Sequence, residues 1–353
     1  MLHVISDNQR RGAQVFAHML AGRLDDLGLD NHVVALIGRP GGLDVPILGP
    51  RARGPATLRA LRRRMAGVDV TVAHGSSTLQ ACGLAGLGPG RQFIYRQISD
   101  PVYWSSALSQ RLRTRAFYRL PTHVVSLSDR TTAVLVNRYR MSPERISVIP
   151  NAVDDTRFFF ADEDARRAAR QLLELDDSAS VIAFVGALSR EKGVFDLLDA
   201  ALPGTVVVMA GEGPAATQLR AKAFSSQAEL RMLGSVDNTK AVYAAADVVV
   251  LPSWSEQQPA AILEAALVGT PVVSTDVGLI SELLPDARSR ELVPPRNPRA
   301  LREAIARFLE ARDKVRVDEI TREWITKTHG IHVIAADWRR LLLDVSPADD
   351  QCE

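Results

Sequence analysis

Eleven short apolar runs, most of them rich in Val and Ile, recur along the 353-residue chain with helix-like stretches between them. The first half carries LHVIS, HVVALI, DVTVAH, QFIYRQ, HVVSLS and ISVIP; the second carries VIAFVGA, TVVVMAG, LRMLG, DVVVLP and PVVSTD. Continuous apolar runs, rather than apolar–polar alternation, belong to parallel strands covered on both faces. The intervening stretches, such as Ala13–Leu27 before Gly28 and Val194–Ala201, read as helices. Strand–helix alternation of this kind builds doubly wound sheets. The length suits two domains, and Pro150–Ala165 interrupts the pattern as a linker would. The expected fold is therefore α/β, with two Rossmann-like domains facing across a cleft. Expected boundaries are 1–155, 156–325, and a final helical segment 326–353, around Trp338–Leu343, crossing back to the first domain. Ligands are expected at the carboxyl ends of the strands and in the cleft.

Composition narrows the class. Cys82 and Cys352 alone support neither a disulfide framework nor a thiolate metal site, which points to a reducing compartment. The N-terminal LHVIS lacks a basic flank and reads as a first strand rather than a leader. No run approaches the ~18 apolar residues of a membrane span. A cytoplasmic location follows as the expectation, with peripheral contact at the inner face of a membrane as its variant. The net charge of +2 hides an asymmetry: residues 1–150 hold 20 Arg, no Lys and 9 acidic residues, the remainder 23 basic and 32 acidic. A basic half attracts anions. Nucleic acid is not expected, because aromatic interleaving and recognised binding motifs are missing. An anionic membrane surface or a phosphate-bearing substrate fits better, met by the clusters Arg51–Arg64 and Arg111–Arg119. The alternative is that these are solvated helix faces in an Arg-rich proteome.

The chemistry concentrates in PSWSEQQPAAILEAALVGTP, from Pro252. It sets Glu256 in a loop and Glu264 in an apolar helix beginning near Pro259, which suits a first helical turn. A buried carboxylate needs a partner, and a ligand with hydroxyl donors would supply one; a Glu on the helix surface is the plainer reading. In VIAFVGALSREKGVFDLL, Lys192 and Gly193 fall where a helix opens, a place that favours anions. The order is wrong for a Walker A loop, so either another kind of diphosphate site or a capping Lys is expected. Gly211-x-Gly213-x-x-Ala216 is a weak dinucleotide fingerprint whose glycines better suit a tight turn. Gly12 opens the first helix, where a ligand can approach the backbone. His74 and Arg96 end strands and are expected to point toward the cleft rim; a structural histidine is the alternative for His74.

The segments VIPNAVDDTRF, FVGALSREKG, MAGEGP, LPSWSEQQPAAILEAALVGTPVV, STDVGLISELL and ELVPPRNP occur in an order that resembles the GT-B retaining glycosyltransferases of family 4. The resemblance covers nearly the whole chain, and its most specific part is the spacing of Glu256 and Glu264 before GTPVV. It implies that Glu256 contacts the donor sugar, Glu264 the nucleotide ribose, and Lys192 the donor diphosphate. It further implies that Gly12, Gly186, Gly211, Pro259 and Ala260 border the donor, and that His74, Arg96 and Asn151 lie on the acceptor or cleft side. The chain departs from the family pattern at Ala187, where Arg is usual; Arg190 lies three residues on and is the expected substitute. Arg96 stands where His is common, Gln257–Gln258–Pro259 where Gly is common, and the first turn has one Gly rather than two.

The resemblance implies a retaining hexosyltransferase using a UDP- or GDP-sugar, with front-face attack and the donor phosphate taking the acceptor proton. The acceptor would be a glycan, a lipid-linked molecule or a small molecule, in cell-surface polysaccharide or glycolipid synthesis. No tightly bound cofactor and no metal are expected, there being no Asp-x-Asp at a strand end. The alternatives are a nucleotide-sugar epimerase and a catalytically weakened sugar-binding relative, the latter motivated by Ala187 and Gln257. A Rossmann oxidoreductase would need an acidic residue ending the strand after Gly211-x-Gly213, but Glu229 begins that strand.

Overall fold

The computed structural model describes residues 1–87, 92–103, 107–285, 288–311 and 315–345. Cys352 lies outside them. The chain forms two compact units, Met1–Ala152 with Ile331–Glu353, and Val153–Gly330. The divisions thus fall at 152/153 and 330/331 rather than at 155/156 and 325/326. The second shift has a physical cause: helix Glu319–His329 buries Ile325 in the core of the second unit. The linker is also shorter than expected, because Asp162 caps a helix that begins at Glu163.

The first unit is a parallel sheet of β1 (Leu2–Asp7), β2 (His32–Ile37), β3 (Thr71–His74), β4 (Phe93–Arg96), β5 (His123–Ser126) and β6 (Ile146–Val148), in the order β2-β1-β3-β4-β5-β6. Side chains alternate between two covered faces, which explains the unbroken apolar runs. Leu2, Val4, Ala73, Phe93, Tyr95 and Val124 enter one core. Val72, Ile94 and Val125 enter the other, with Phe16, Leu20 and Leu24 of helix Gly12–Asp26. Helix Ile331–Val345 joins this second core through Ile331, Ile334, Ala335, Trp338, Leu341 and Leu342, the i, i+3, i+4, i+7 stripe of a helix with one buried face.

The second unit is built likewise from β7 (Ser180–Val185), β8 (Thr205–Ala210), β9 (Glu229–Gly234), β10 (Val248–Leu251), β11 (Val272–Thr275) and β12 (Arg290–Val293), in the order β12-β11-β10-β7-β8-β9. Val181, Ala183, Val249 and Leu251 face one core; Ile182, Phe184, Val248 and Val250 face the other. Asp247, ahead of β10, is buried and bound by the guanidinium groups of Arg166 and Arg170 and by the Val181 N–H. The buried carboxylate is thereby satisfied where it alone would be costly.

Candidate functional site

Two loops at the carboxyl ends of neighbouring strands build the centre. After β7 the chain makes a single turn of 3₁₀ helix, Arg190–Lys192, and Gly193 opens helix Val194–Ala200 at φ +65°. A Cβ at Gly193 would stand 1.9 Å from the Pro252 carbonyl oxygen, so only glycine lets this turn rest on the loop after β10. The Trp254 N–H donates to the Glu191 carbonyl at 2.7 Å, tying the loops together. Lys192, 64 residues from Glu256 in sequence, thereby donates from Nζ to its Oε1 at 2.6 Å. Ser253 Oγ donates to the same oxygen at 2.8 Å. Oε2 of Glu256 is left without a hydrogen bond among the described residues. The loop is braced from the far side by the Leu279 N–H, which donates to the Gln257 carbonyl at 3.1 Å.

Helix Ala260–Val268 follows, closed by Gly269 in the left-handed conformation. Pro259 is not in the first turn, as expected from sequence, but caps it with extended backbone. The helix starts at Ala260, so Glu264 lies little more than one turn in. The side chain is half-buried and accepts a 2.6 Å hydrogen bond from the Tyr243 hydroxyl at Oε2. Burial raises the Glu264 pKa above the ordinary carboxylate value; the Tyr243 hydroxyl and the charge of Arg157 work in the opposite direction. The sequence-level demand for a hydroxyl donor is met within the protein by Tyr243, a residue that no pattern in the chain had singled out. Ser253 was equally unmarked, although it sits in the same motif as Glu256.

The remaining residues separate into groups. Gly211 and Gly186 meet backbone to backbone: a Cβ on Gly211 would stand 1.9 Å from the Gly186 carbonyl oxygen. The Gly211-x-Gly213 element therefore shapes the junction of two strand-end loops. Arg190 is exposed and lies over the Phe195 ring, 5.4 Å from its centroid, so its guanidinium is not gathered with Lys192 and Glu256. Gly12 is exposed, with open space where a Cβ would be. Trp254 is held by a 2.7 Å bond from its indole N–H to Asp196 and by Arg296 stacked on its ring.

In the first unit, His74 and Arg96 do not stand at a rim. They are paired in register on adjacent strands and share the face beneath helix Gly12–Asp26, which buries both. His74 stacks on His3, with 3.1 Å between His3 Nδ1 and His74 Nε2. Burial pushes the His3 pKa down to about 4 and that of His74 well below the usual value. The Arg96 guanidinium lies 3.5 Å above the Phe16 ring centroid and donates to the Asn151 side-chain oxygen. Its Nε and Nη1 have no partner among the described residues, and burial lowers its pKa to about 9. The cation is thus buried against a ring and an amide, with no carboxylate bonded to it. Among the described residues, no group of three or more His, Cys, Asp or Glu side chains gathers as metal ligands, and no helix is long and apolar enough to cross a membrane.

Comparison with known proteins bears on the family and the fold. The sequence profile of Glycosyltransferase Family 4 matches residues 10–157, and that of Glycosyl transferases group 1 matches residues 179–311. A TuaC protein of Bacillus subtilis (strain 168), named as a teichuronic acid biosynthesis glycosyltransferase, is 34% identical over 46% of this chain and 41% of its own length. A 2-deoxystreptamine glucosyltransferase of Streptomyces kanamyceticus is 28% identical over 59% of this chain and 57% of its own. The chain spans about half the length of these curated relatives. The crystal structure of Anabaena HepE in complex with UDP-glucose superposes with a TM-score of 0.83 at 18% identity, covering 97% of this chain and 99% of that one. The two parallel six-stranded sheets are those of the GT-B fold. With one half matching each profile, the chain belongs to the group 1 glycosyltransferases of family 4.

Proposed function

We propose that this chain is a retaining glycosyltransferase that moves a hexosyl group from a nucleoside-diphosphate sugar, UDP- or GDP-linked, to a hydroxyl of a glycan, lipid-linked or small-molecule acceptor. The reading rests on one observation: Lys192 and Glu256, from loops 64 residues apart, are bonded at the strand ends of a single sheet. The solved neighbour HepE holds UDP-glucose, and the names of the relatives point to glycan or aminocyclitol acceptors.

In this reading the donor diphosphate takes Lys192 as its counter-charge. Glu256, released from Lys192 and still held by Ser253, accepts hydroxyls of the transferred sugar. Glu264, oriented by Tyr243, accepts from the ribose. As the bond from the anomeric carbon to the diphosphate oxygen breaks, negative charge grows on the diphosphate. A positioned ammonium stabilises that charge most in the transition state, which is where electrostatic catalysis acts. The acceptor oxygen bonds to the anomeric carbon on the face being vacated, and its proton passes to a diphosphate oxygen. No protein base is required, and no metal enters. The setting would be cell-surface polysaccharide or glycolipid synthesis on the cytoplasmic side, with the Arg-rich first unit at an anionic surface.

The test is incubation with UDP- and GDP-hexoses, with and without candidate acceptors, following nucleoside diphosphate release and the anomeric configuration of the product. Acceptor-dependent release with retained configuration supports the reading. Donor conversion without any acceptor would instead favour an epimerase.

A further inference from the structure

Helix Leu108–Phe117 is the only helix of ten or more residues among those described that buries none of its side chains. Its polarity is inverted. Leu108 is 69% and Leu112 57% exposed, and Ala116, next on the same i, i+4 row, is exposed too. Arg111 and Arg115, by contrast, are half-buried toward the body of the unit. With 100° per residue, Arg111 and Arg115 flank the apolar row on one side and Arg113 on the other. The stretch 107–120 contains four Arg and no acidic residue. Val102 and Tyr103, just ahead of it, are exposed as well. An ordinary surface helix turns its leucines inward; one that turns them to solvent between arginines has the pattern of a helix lying in a bilayer interface.

We propose that helix Leu108–Phe117 is an interfacial anchor that lays Leu108 and Leu112 into the headgroup region of an anionic membrane, with the exposed Arg113 and Arg119 against the lipid phosphates. Charge selects this occupant over a second copy of the chain. A two-fold contact would set the exposed Arg113 and Arg119 against their own copies, whereas anionic lipid neutralises them. A polyanion without an apolar layer would answer the arginines and leave the leucines in water. The basic segment Arg51–Arg64 belongs to helix Pro55–Met65 and its approach in the same unit.

The experiment is co-sedimentation of the full chain with phosphatidylglycerol–phosphatidylcholine vesicles and with phosphatidylcholine vesicles, at about 0.1 M and 1 M salt, where the Debye length falls from ~10 Å to ~3 Å. It involves no sugar nucleotide and no turnover, so it stands or falls apart from the glycosyltransferase reading. Wild type should bind the anionic vesicles at low salt and release them at high salt. The double variant Leu108→Ser/Leu112→Ser should bind about tenfold or more weakly, since two leucines lose apolar burial. Arg113→Gln should lose about fivefold. Unchanged melting of these variants shows that the fold is intact, and Phe224→Ser, at a residue 94% exposed in the other unit, should bind like wild type. The proposal is overturned if wild type ignores anionic vesicles at low salt. It is equally overturned if the leucine variant binds undiminished, or if the chain is a stable dimer that the leucine variant dissociates.

Discussion

The ammonium of Lys192 and the carboxylate of Glu256 are bonded at 2.6 Å with their side chains 28% and 11% exposed, and in this arrangement each holds the other in place. The pair is neither fully buried nor free in water, so its own contribution to folding is modest. Its value lies in position.

On the proposed reading, replacing Lys192 removes the counter-charge of a diphosphate. Charge-assisted hydrogen bonds are worth about 1.5–3 kcal/mol, so Lys192→Ala should lower kcat/KM roughly 10- to 150-fold. The melting temperature should stay close to wild type. Steady-state kinetics checks this; an unaltered kcat/KM would remove Lys192 from the reaction.

Glu256→Gln keeps the side-chain shape and, on the proposed reading, weakens the acceptor for sugar hydroxyls. Turnover should fall by about tenfold or more, while affinity for the free nucleoside diphosphate is retained or rises because Lys192 loses its internal partner. Calorimetric titration together with initial rates separates the two effects. A loss of nucleotide affinity with normal turnover would reverse the assignment.

Arg96 carries an uncompensated charge in the interior. Replacing such a group by an apolar side chain of similar size is often neutral or stabilising. Arg96→Met should therefore raise the melting temperature of the protein by a few degrees, at about 2–4 °C per kcal/mol for a unit of this size. A lower melting temperature by calorimetry would show that the buried guanidinium is a net stabilising group.

Much of this organisation was readable in the chain and part was not. Strands β1 to β11 announced themselves because both faces of each sheet are covered, leaving apolar runs such as VVVL and VIAFV. Strand β12 escaped because Arg290–Val293 opens with two charged residues at the sheet edge. Residue type at a strand end suggested a rim for His74 and Arg96. The register decides otherwise, since both share a face with Val72 and Ile94 beneath a helix. The Lys192–Glu256 contact and the Tyr243–Glu264 bond depend on loops and helices that meet only in three dimensions, and neither spacing encodes them.

The His3–His74 pair makes stability depend on acid. Both imidazoles have folded-state pKa values depressed by burial, that of His3 to about 4, against about 6.5 in the unfolded chain. Their contribution is complete above pH ~6.5 and is lost as the pH falls toward 4, where the unfolded chain binds the protons. For His3 alone this window is worth roughly 3 kcal/mol. Denaturant unfolding at pH 7.5 and 4.5 should show that loss, and His3→Gln should flatten the difference. Parallel pH profiles for wild type and variant would exclude His3 as the cause.

The central claim is that the second unit grips a nucleoside-diphosphate sugar through Lys192, Glu256 and Glu264. Calorimetric titration of UDP and GDP into wild type, Lys192→Ala and Glu264→Ala tests it most directly. One of the two nucleotides should bind wild type, and each variant should bind it more weakly by about tenfold or more, as the loss of one charge-assisted hydrogen bond requires. Equal affinity in all three proteins, or no binding of either nucleotide to wild type, would contradict it.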